Sequence, residues 1–286
     1  MATSIFGCAT SSGNDAEFRA AGSAISAALS GMLTRVTTSS DINWATVARP
    51  TTDNTFEATF DVFRFNDAAQ ATHPLFLKFE YGRYTSTSPI HIRLTIGKTC
   101  SGAGVLGGIV FPATVITSYS AGASSTIYSS YISNGDGHCL CLAITPANNA
   151  ILLMIERAID SNGAVLGNGL WVAFKSEGTM TNYFCAYDSG ANTNYTGGIF
   201  PSLSPLSSGQ SFANGSITPY FPAACFAPNG LYWIPRAALG GALADCSLGT
   251  TRSALLDGNT YLGVGNAGRF SDQRGQSYSG LLMRWS

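Results

Sequence analysis

Four sets of residues have the types and spacing to do chemistry. His138-Cys139-Leu140-Cys141 puts two thiols beside an imidazole, the makings of a metal site or an activated thiol. A zinc site uses Cys pairs spaced by two to four residues and a second pair elsewhere. In a strand, Cys139 and Cys141 share one face and His138 takes the other, which parts the imidazole from both thiols. The expectation is two small core residues after an exposed histidine. Gly102-Ala103-Gly104-Val105-Leu106-Gly107 matches G-x-G-x-x-G after a convincing strand. A dinucleotide site needs that third glycine to open a helix, with a carboxylate about 20 residues on. Here Gly107 leads into Gly108-Ile109-Val110-Phe111-Pro112, and no Asp or Glu occurs between Glu80 and Asp136. The segment reads as a glycine turn between strands.

The third set is the carboxylates. Glu80, Glu156 and Glu177 lie in or beside predicted strands and are the candidates for a glycosidase pair. Glu156 adjoins Arg157, which predicts an ion pair on a strand. The fourth set is the remaining histidines. His73 precedes Pro74, and His91 falls on the exposed parity of its strand. No G-x-S-x-G elbow accompanies them. Tyr183, Tyr187 and Tyr195, in an Asn/Gly-rich region, suit sugar stacking or protein contacts, the latter being favoured. No catalytic, cofactor-binding or metal-binding residue is assigned.

The elements that must position these residues are mainly strands. One helix is expected over 15–33, with Asp15 as N-cap. Phe18, Ala21, Ile25, Ala28, Leu29 and Met32 recur there at helical spacing, and Gly22 and Gly31 weaken it. From Asn43 the pattern becomes β. Phe56, Ala58, Phe60 and Val62 share one parity and Phe63 and Phe65 the other, so both faces are covered or a bulge switches the parity. Leu75, Leu77, Phe79 and Tyr81 face one way, and Gly82 ends that strand. Ile90, Ile92, Leu94 and Ile96 face a core, with His91, Arg93 and Thr95 outward. Further strands are expected at 109–118, 126–132, 138–144, 151–159 and 170–175. Asn134-Gly135-Asp136-Gly137 and Asp160-Ser161-Asn162-Gly163 mark turns between them. Residues 176–216, rich in Ser, Thr, Asn and Gly, read as loop, with a boundary near 180. From 217 onward short apolar runs return, with coil outweighing strand.

The expectation is a mainly β fold: an arm over 1–40 carrying the helix, an antiparallel β-sandwich over 41–180, and a loop-rich β segment over 181–286. That last segment packs on the same core or on neighbouring subunits.

Composition limits the partners. Only 11% of the 286 residues are charged, the net charge is −1, and there are 32 glycines. Coiled coils, charged disordered tails and basic nucleic-acid binders are excluded. The start of the chain lacks the charged and apolar regions of a signal peptide. Ile109–Ile116 is too short to span a bilayer, and polar residues interrupt Cys139–Ile155, so no membrane segment is expected. Seven cysteines, an odd number, are expected to be reduced and mostly buried. Without a secretory signal, the N-x-S/T matches at Asn194 and Asn214 carry little meaning.

Several stretches occur in a telling order. Phe63-Arg64-Phe65-Asn66-Asp67 is followed by Gln70-Ala71-Thr72 and Pro74. Leu75 to Gly82 reads LFLKFEYG, and Ile96-Gly97 leads into Gly102-Ala103-Gly104. Ile155-Glu156-Arg157 follows, with Asp160, Asn162-Gly163 and Gly169. Together these resemble a family of virion structural proteins of tailed bacteriophages. In that family an aromatic strand, an Ala-Thr-x-Pro link, a K-x-E-Y-G strand, a Gly-rich turn and an I-E-R-x-x-D-x-x-G strand succeed one another. The resemblance covers roughly residues 44–175. Its motifs belong to strands and turns and bring no catalytic residue with them. It implies a virion protein assembled in the bacterial host cytoplasm, in several copies, in the tail, collar or fibre-attachment region. Its partners would be copies of itself and other phage tail or head proteins, with no nucleic acid. The alternatives are a capsid decoration protein and a tail-tip protein that binds or cleaves host polysaccharide.

Overall fold

The computed structural model describes residues 2–9, 13–84, 86, 90–116, 127–134, 137–144, 151–159, 165–176, 179–186, 221–222, 225–227, 230–233, 237–241, 249, 251–253, 259–271 and 277–285. Strand β1 (Thr3–Ala9) precedes helix α1 (Asp15–Met32). Then come β2 (Thr34–Val36), β3 (Thr55–Arg64), a 3-10 turn (Ala68–Ala71), β4 (Phe76–Arg83), β5 (Ile90–Cys100) and β6 (Leu106–Val115). A second series follows: β7 (Ile127–Ser133), β8 (Cys139–Ile144), β9 (Ile151–Ile159), β10 (Val165–Ser176) and β11 (Thr179–Ala186). The last group is β12 (Phe221–Pro222), β13 (Cys225–Ala227), β14 (Gly230–Trp233), β15 (Ala238–Gly241), β16 (Thr251–Ser253), β17 (Thr260–Ser271) and β18 (Ser277–Arg284).

The fold is mainly β with antiparallel sheets and, among the described residues, one long helix near its start, as the sequence predicts. A five-stranded sheet runs β2-β3-β4-β5-β6. A larger sheet runs β1-β7-β8-β9-β10-β11-β17-β18-β15-β12. Alternation supplies the core between them. Leu77, Phe79 and Tyr81 of β4 and Ile90, Ile92, Leu94 and Ile96 of β5 join Leu140, Leu142, Leu153, Ile155, Leu170 and Val172 of the larger sheet. Phe111 of β6 meets Phe174 of β10 edge to face.

Strands β8–β10 are covered on both faces, which explains their near-continuous apolar text. Their second face, with Cys139, Cys141, Met154 and Trp171, is buried too. Described C-terminal residues reach this side of the sheet: the Cys141 thiol donates to the O of Ala237, just before β15, and Tyr131 of β7 packs edge-on against Trp285, just after β18.

Helix α1 buries the expected stripe, and Gly22 and Ser26 besides. Burying Phe18, Ile25 and Leu29 stabilises by roughly 1.5–3 kcal/mol each. Its N-cap is Asn14, one residue before the expected Asp15. Asn14 Oδ1 accepts from Glu17 N, and Glu17 Oε2 accepts from Gly13 N. Asp15 is engaged elsewhere, accepting from Arg49 N.

Other expectations are corrected. Gly82 does not end β4; it pairs with Phe56 and His91 inside the sheet. A Cβ there would lie 2.1 Å from Thr55 O, so the glycine permits close strand approach. Residues 179–186, expected as loop, form β11, paired with β10 along its whole length through the expected boundary near 180. Strand β1 had no counterpart in the sequence reading. Both alternatives for β3 hold: its register with β4 shifts between Phe56 and Phe60, and Phe60 to Phe63 are all buried. The Asp160–Gly163 turn lies outside the described residues.

The helix glycines give a prediction. A Cβ on Gly22 would lie 1.9 Å from the Trp44 ring, whereas nothing lies within 4 Å of one on Gly31. Gly22→Ala should destabilise by about 1–3 kcal/mol through overpacking. Gly31→Ala should stabilise by about 0.5–1 kcal/mol through helix propensity. Urea denaturation of both variants checks the opposite signs.

Candidate functional site

The residues of greatest chemical interest form buried polar contacts between elements. The main one is built on Arg157 of β9, whose side chain has no exposed surface. Its parity is that of Leu153 and Ile155, so it points into the sandwich. Its Nε lies 2.6 Å from Asp67 Oδ2. One terminal nitrogen donates to His73 O (2.6 Å) and the other to Gln70 Oε1 (2.8 Å). The guanidinium also lies 5.0 Å from the Phe65 ring centroid. Gln70 in turn holds the start of β4, accepting from Leu75 N and donating to Leu75 O. Burial pushes the Asp67 carboxyl above its usual range, and Arg157 pulls it partly back.

A second polar contact lies beneath α1. Asp61 is fully buried, with Arg35 Nη2 2.5 Å from its Oδ1. Burial raises its pKa; Ser26, Arg35, Tyr81 and Trp44 oppose that rise. These four come from α1, β2, β4 and the 43–47 turn, and among them Arg35 donates the hydrogen bond to Asp61 Oδ1. Asn43 shapes that turn, its side chain accepting from Ala45 N and its carbonyl from Val47 N.

Glu156 was expected to pair with Arg157, and it does not. Successive strand residues face opposite ways, and Glu156 points to the other side of β9. There its Oε2 accepts from Ala237 N at 2.6 Å, tying β9 to the C-terminal strands. Glu80, on the outer face of the smaller sheet, is held by Arg93 through two 2.8 Å hydrogen bonds. The sandwich core therefore separates Glu80 from Glu156, and glycosidase geometry gains no support from this pair. Glu177, Tyr187, Tyr195, Asn194 and Asn214 lie outside the described residues. Tyr183 stands opposite Val172 in the β10–β11 ladder.

His91 was expected to be exposed and is buried, its ring stacked between Phe56 and Tyr84. Aromatics at the start of β3 and just after β4 cover a face that alternation alone marks as outward. Cys139 and Cys141 share a buried face, as expected, and His138 is half-buried. The Cys139 thiol is pushed well up, first by a hydrogen bond with Cys141 and then by burial. Burial pushes Cys8 and Cys185 up to about 12. Such thiols hold almost no thiolate at neutral pH and are poor nucleophiles. Cys8, Cys100, Cys139, Cys141 and Cys185 are all free of disulfides. His73 contributes its backbone carbonyl to Arg157. Among the described residues, no three His, Cys, Asp or Glu side chains gather as a metal site. No described helix is long and apolar enough to cross a membrane.

The G-x-G-x-x-G segment is the β5–β6 hairpin turn. Gly104 N donates to Ser101 O, and Val105 N donates to the Ser101 side chain. Gly104 has φ +72°, and a Cβ there would meet the Phe60 ring at 2.3 Å. Strand β6 follows where a dinucleotide fold would have a helix. Chemically, these arrangements hold elements in register.

Arg157 was not legible as a site, because its partners lie 84 and 87 residues away. No family model, curated protein or solved structure matches this chain.

Two predictions follow from the buried charges. Arg157→Met strands the Asp67 carboxylate and should cost about 3–5 kcal/mol. Adding Asp67→Asn to it should recover part of that loss; chemical denaturation of both variants and of Asp67→Asn alone measures the coupling. For Asp61, a folded pKa above the unfolded value means that the folded state binds the proton more tightly. Stability from this group is then full below the unfolded pKa and lost as pH rises through the folded one. Wild type should therefore gain stability relative to Asp61→Asn on acidification from neutral pH toward the carboxylate range. Denaturation midpoints of the two proteins at stepped pH measure that gain.

Proposed function

We propose that this chain is a structural virion protein of a tailed bacteriophage. It is a multi-copy component of the tail, collar or fibre-attachment region and works by symmetric subunit packing. One observation carries this reading. Two of the stretches behind the resemblance, Phe63–Asp67 with Gln70-Ala71-Thr72 and Ile155-Glu156-Arg157, are far apart in sequence. They meet in one buried contact set, where Arg157 engages Asp67, Gln70 and the His73 carbonyl. Two of the motifs thus meet in a single internal clamp, and a clamp serves architecture. The low charge supports the same reading: a surface poor in charge is poorly suited to a free monomer and well suited to one covered by neighbours.

The test is to disrupt particles of the encoding phage, separate heads from tails and quantify this chain in each fraction. A small ring number of copies in the tail fraction is the expected result. A far larger number on heads would replace the tail role with capsid decoration. Absence from both fractions would overturn the proposal.

A further inference from the structure

The strand orders of the two large sheets end at four strands, β1 and β12 in the larger and β2 and β6 in the smaller; off that path, the three-residue β16, which contains Arg252, flanks β17. An open edge presents unpaired N–H and C=O groups and recruits foreign strands unless shortness, charge, proline or a bulge guards it. Three of the four carry such guards. Strand β2 has three residues, including Arg35. Strand β12 has two, one of them Pro222. Strand β6 contains Pro112, and two register shifts interrupt its ladder with β5.

Strand β1 has none of these guards. Its seven residues include no charge and no proline, and they pair with β7 without a register shift. Among the described strands β7 is its one ladder partner. The direction of its backbone groups can be read from Ala2, which donates from N to Asn134 Oδ1 and accepts at O from Asn134 N. Ala2 therefore turns its polar groups toward β7. Alternation turns Ser4, Phe6 and Cys8 the same way and leaves the N–H and C=O of Thr3, Ile5 and Gly7 at the open edge. The side chains of Thr3 and Ile5 are exposed, Ile5 by 62%.

We propose that β1 is an assembly edge that pairs antiparallel with β1 of a second copy, about a two-fold axis at Ile5. This rests on the multi-copy reading above. The register follows from self-complementarity. Ile5 lies opposite Ile5 and Thr3 opposite Gly7, so every outward N–H and C=O of the three finds a partner. The two isoleucines cover each other. A second copy suits this edge because Ala2–Ala9 carries no charge, so pairing opposes no like charges.

Size-exclusion chromatography with light scattering tests the pairing on the full chain. Wild type should self-associate. Ile5→Lys should weaken that association on the order of a hundredfold, by setting like charges opposite each other. Its melting temperature should hold, because Ile5 is exposed in the single copy. Cross-linking tests the register independently: under mild oxidation Ile5→Cys should form an intermolecular disulfide and Thr3→Cys should not. A monomeric wild type, unchanged association of Ile5→Lys, or self-linking of Thr3→Cys without that of Ile5→Cys would overturn the inference. Pairing through Ile5 in a chain absent from virions would leave this inference standing and overturn the proposed function. A virion chain that is monomeric at β1 would do the reverse.

Discussion

A guanidinium with no exposed surface governs how the two sheets meet. Removing Arg157 from water costs several kcal/mol unless its donors find partners. Asp67, Gln70, the His73 carbonyl and the Phe65 ring are those partners, and all lie between the end of β3 and the start of β4. Apolar faces can slide past one another at modest cost. A planar fork that must meet several fixed acceptors cannot. The clamp therefore sets the register of β9 against the smaller sheet.

The same strand is tied on its other side. Glu156 faces away from the sandwich interior and accepts from Ala237 N, while Ser133 donates to Arg284 O from the neighbouring part of the sheet. Two consecutive residues of β9 thus connect it to the layers on either side. Helix α1 is placed by a comparable device. Arg35 of β2 hydrogen-bonds the buried Asp61 beneath the helix, and Gly22 leaves room for the Trp44 ring against the helix. Charge inside this protein is scarce and is spent at junctions between elements.

Local periodicity made most of the first half legible. The stripe from Phe18 to Met32 and the alternation from Ile90 to Ile96 both have the faces they imply. Alternation names a face but not its cover, which is why His91 was misplaced: Phe56 and Tyr84 close over it from outside its strand. Strands β1 and β11 escaped because their texts, TSIFGCA and TMTNYFCA, are short and mix small polar with apolar residues. Their pairing to β7 and β10 is a backbone matter that composition hardly records. Glu156 and Arg157 differ from their expected pairing for another reason: adjacency in sequence suggests an ion pair, while the two-residue period sends neighbours to opposite faces.

The sparse charge links the interior to the surface. Arg35, Asp61, Asp67, Glu80, Arg93 and Arg157 are committed to ion pairs within the chain, with Asp61 and Arg157 fully buried and Glu80–Arg93 on the outer face of the smaller sheet. Among the described residues, these pairs leave less free charge than the sequence's 11% counts. Charge is one guard of a sheet edge, and β1 carries none. Internal clamping makes such an edge specific instead of merely adhesive. A strand held in fixed register on β7, in a sheet whose order is pinned by Arg157 and Glu156, offers its open groups at one spacing and one twist. A second copy carries the same spacing and twist by construction, so it matches that edge better than an arbitrary strand would.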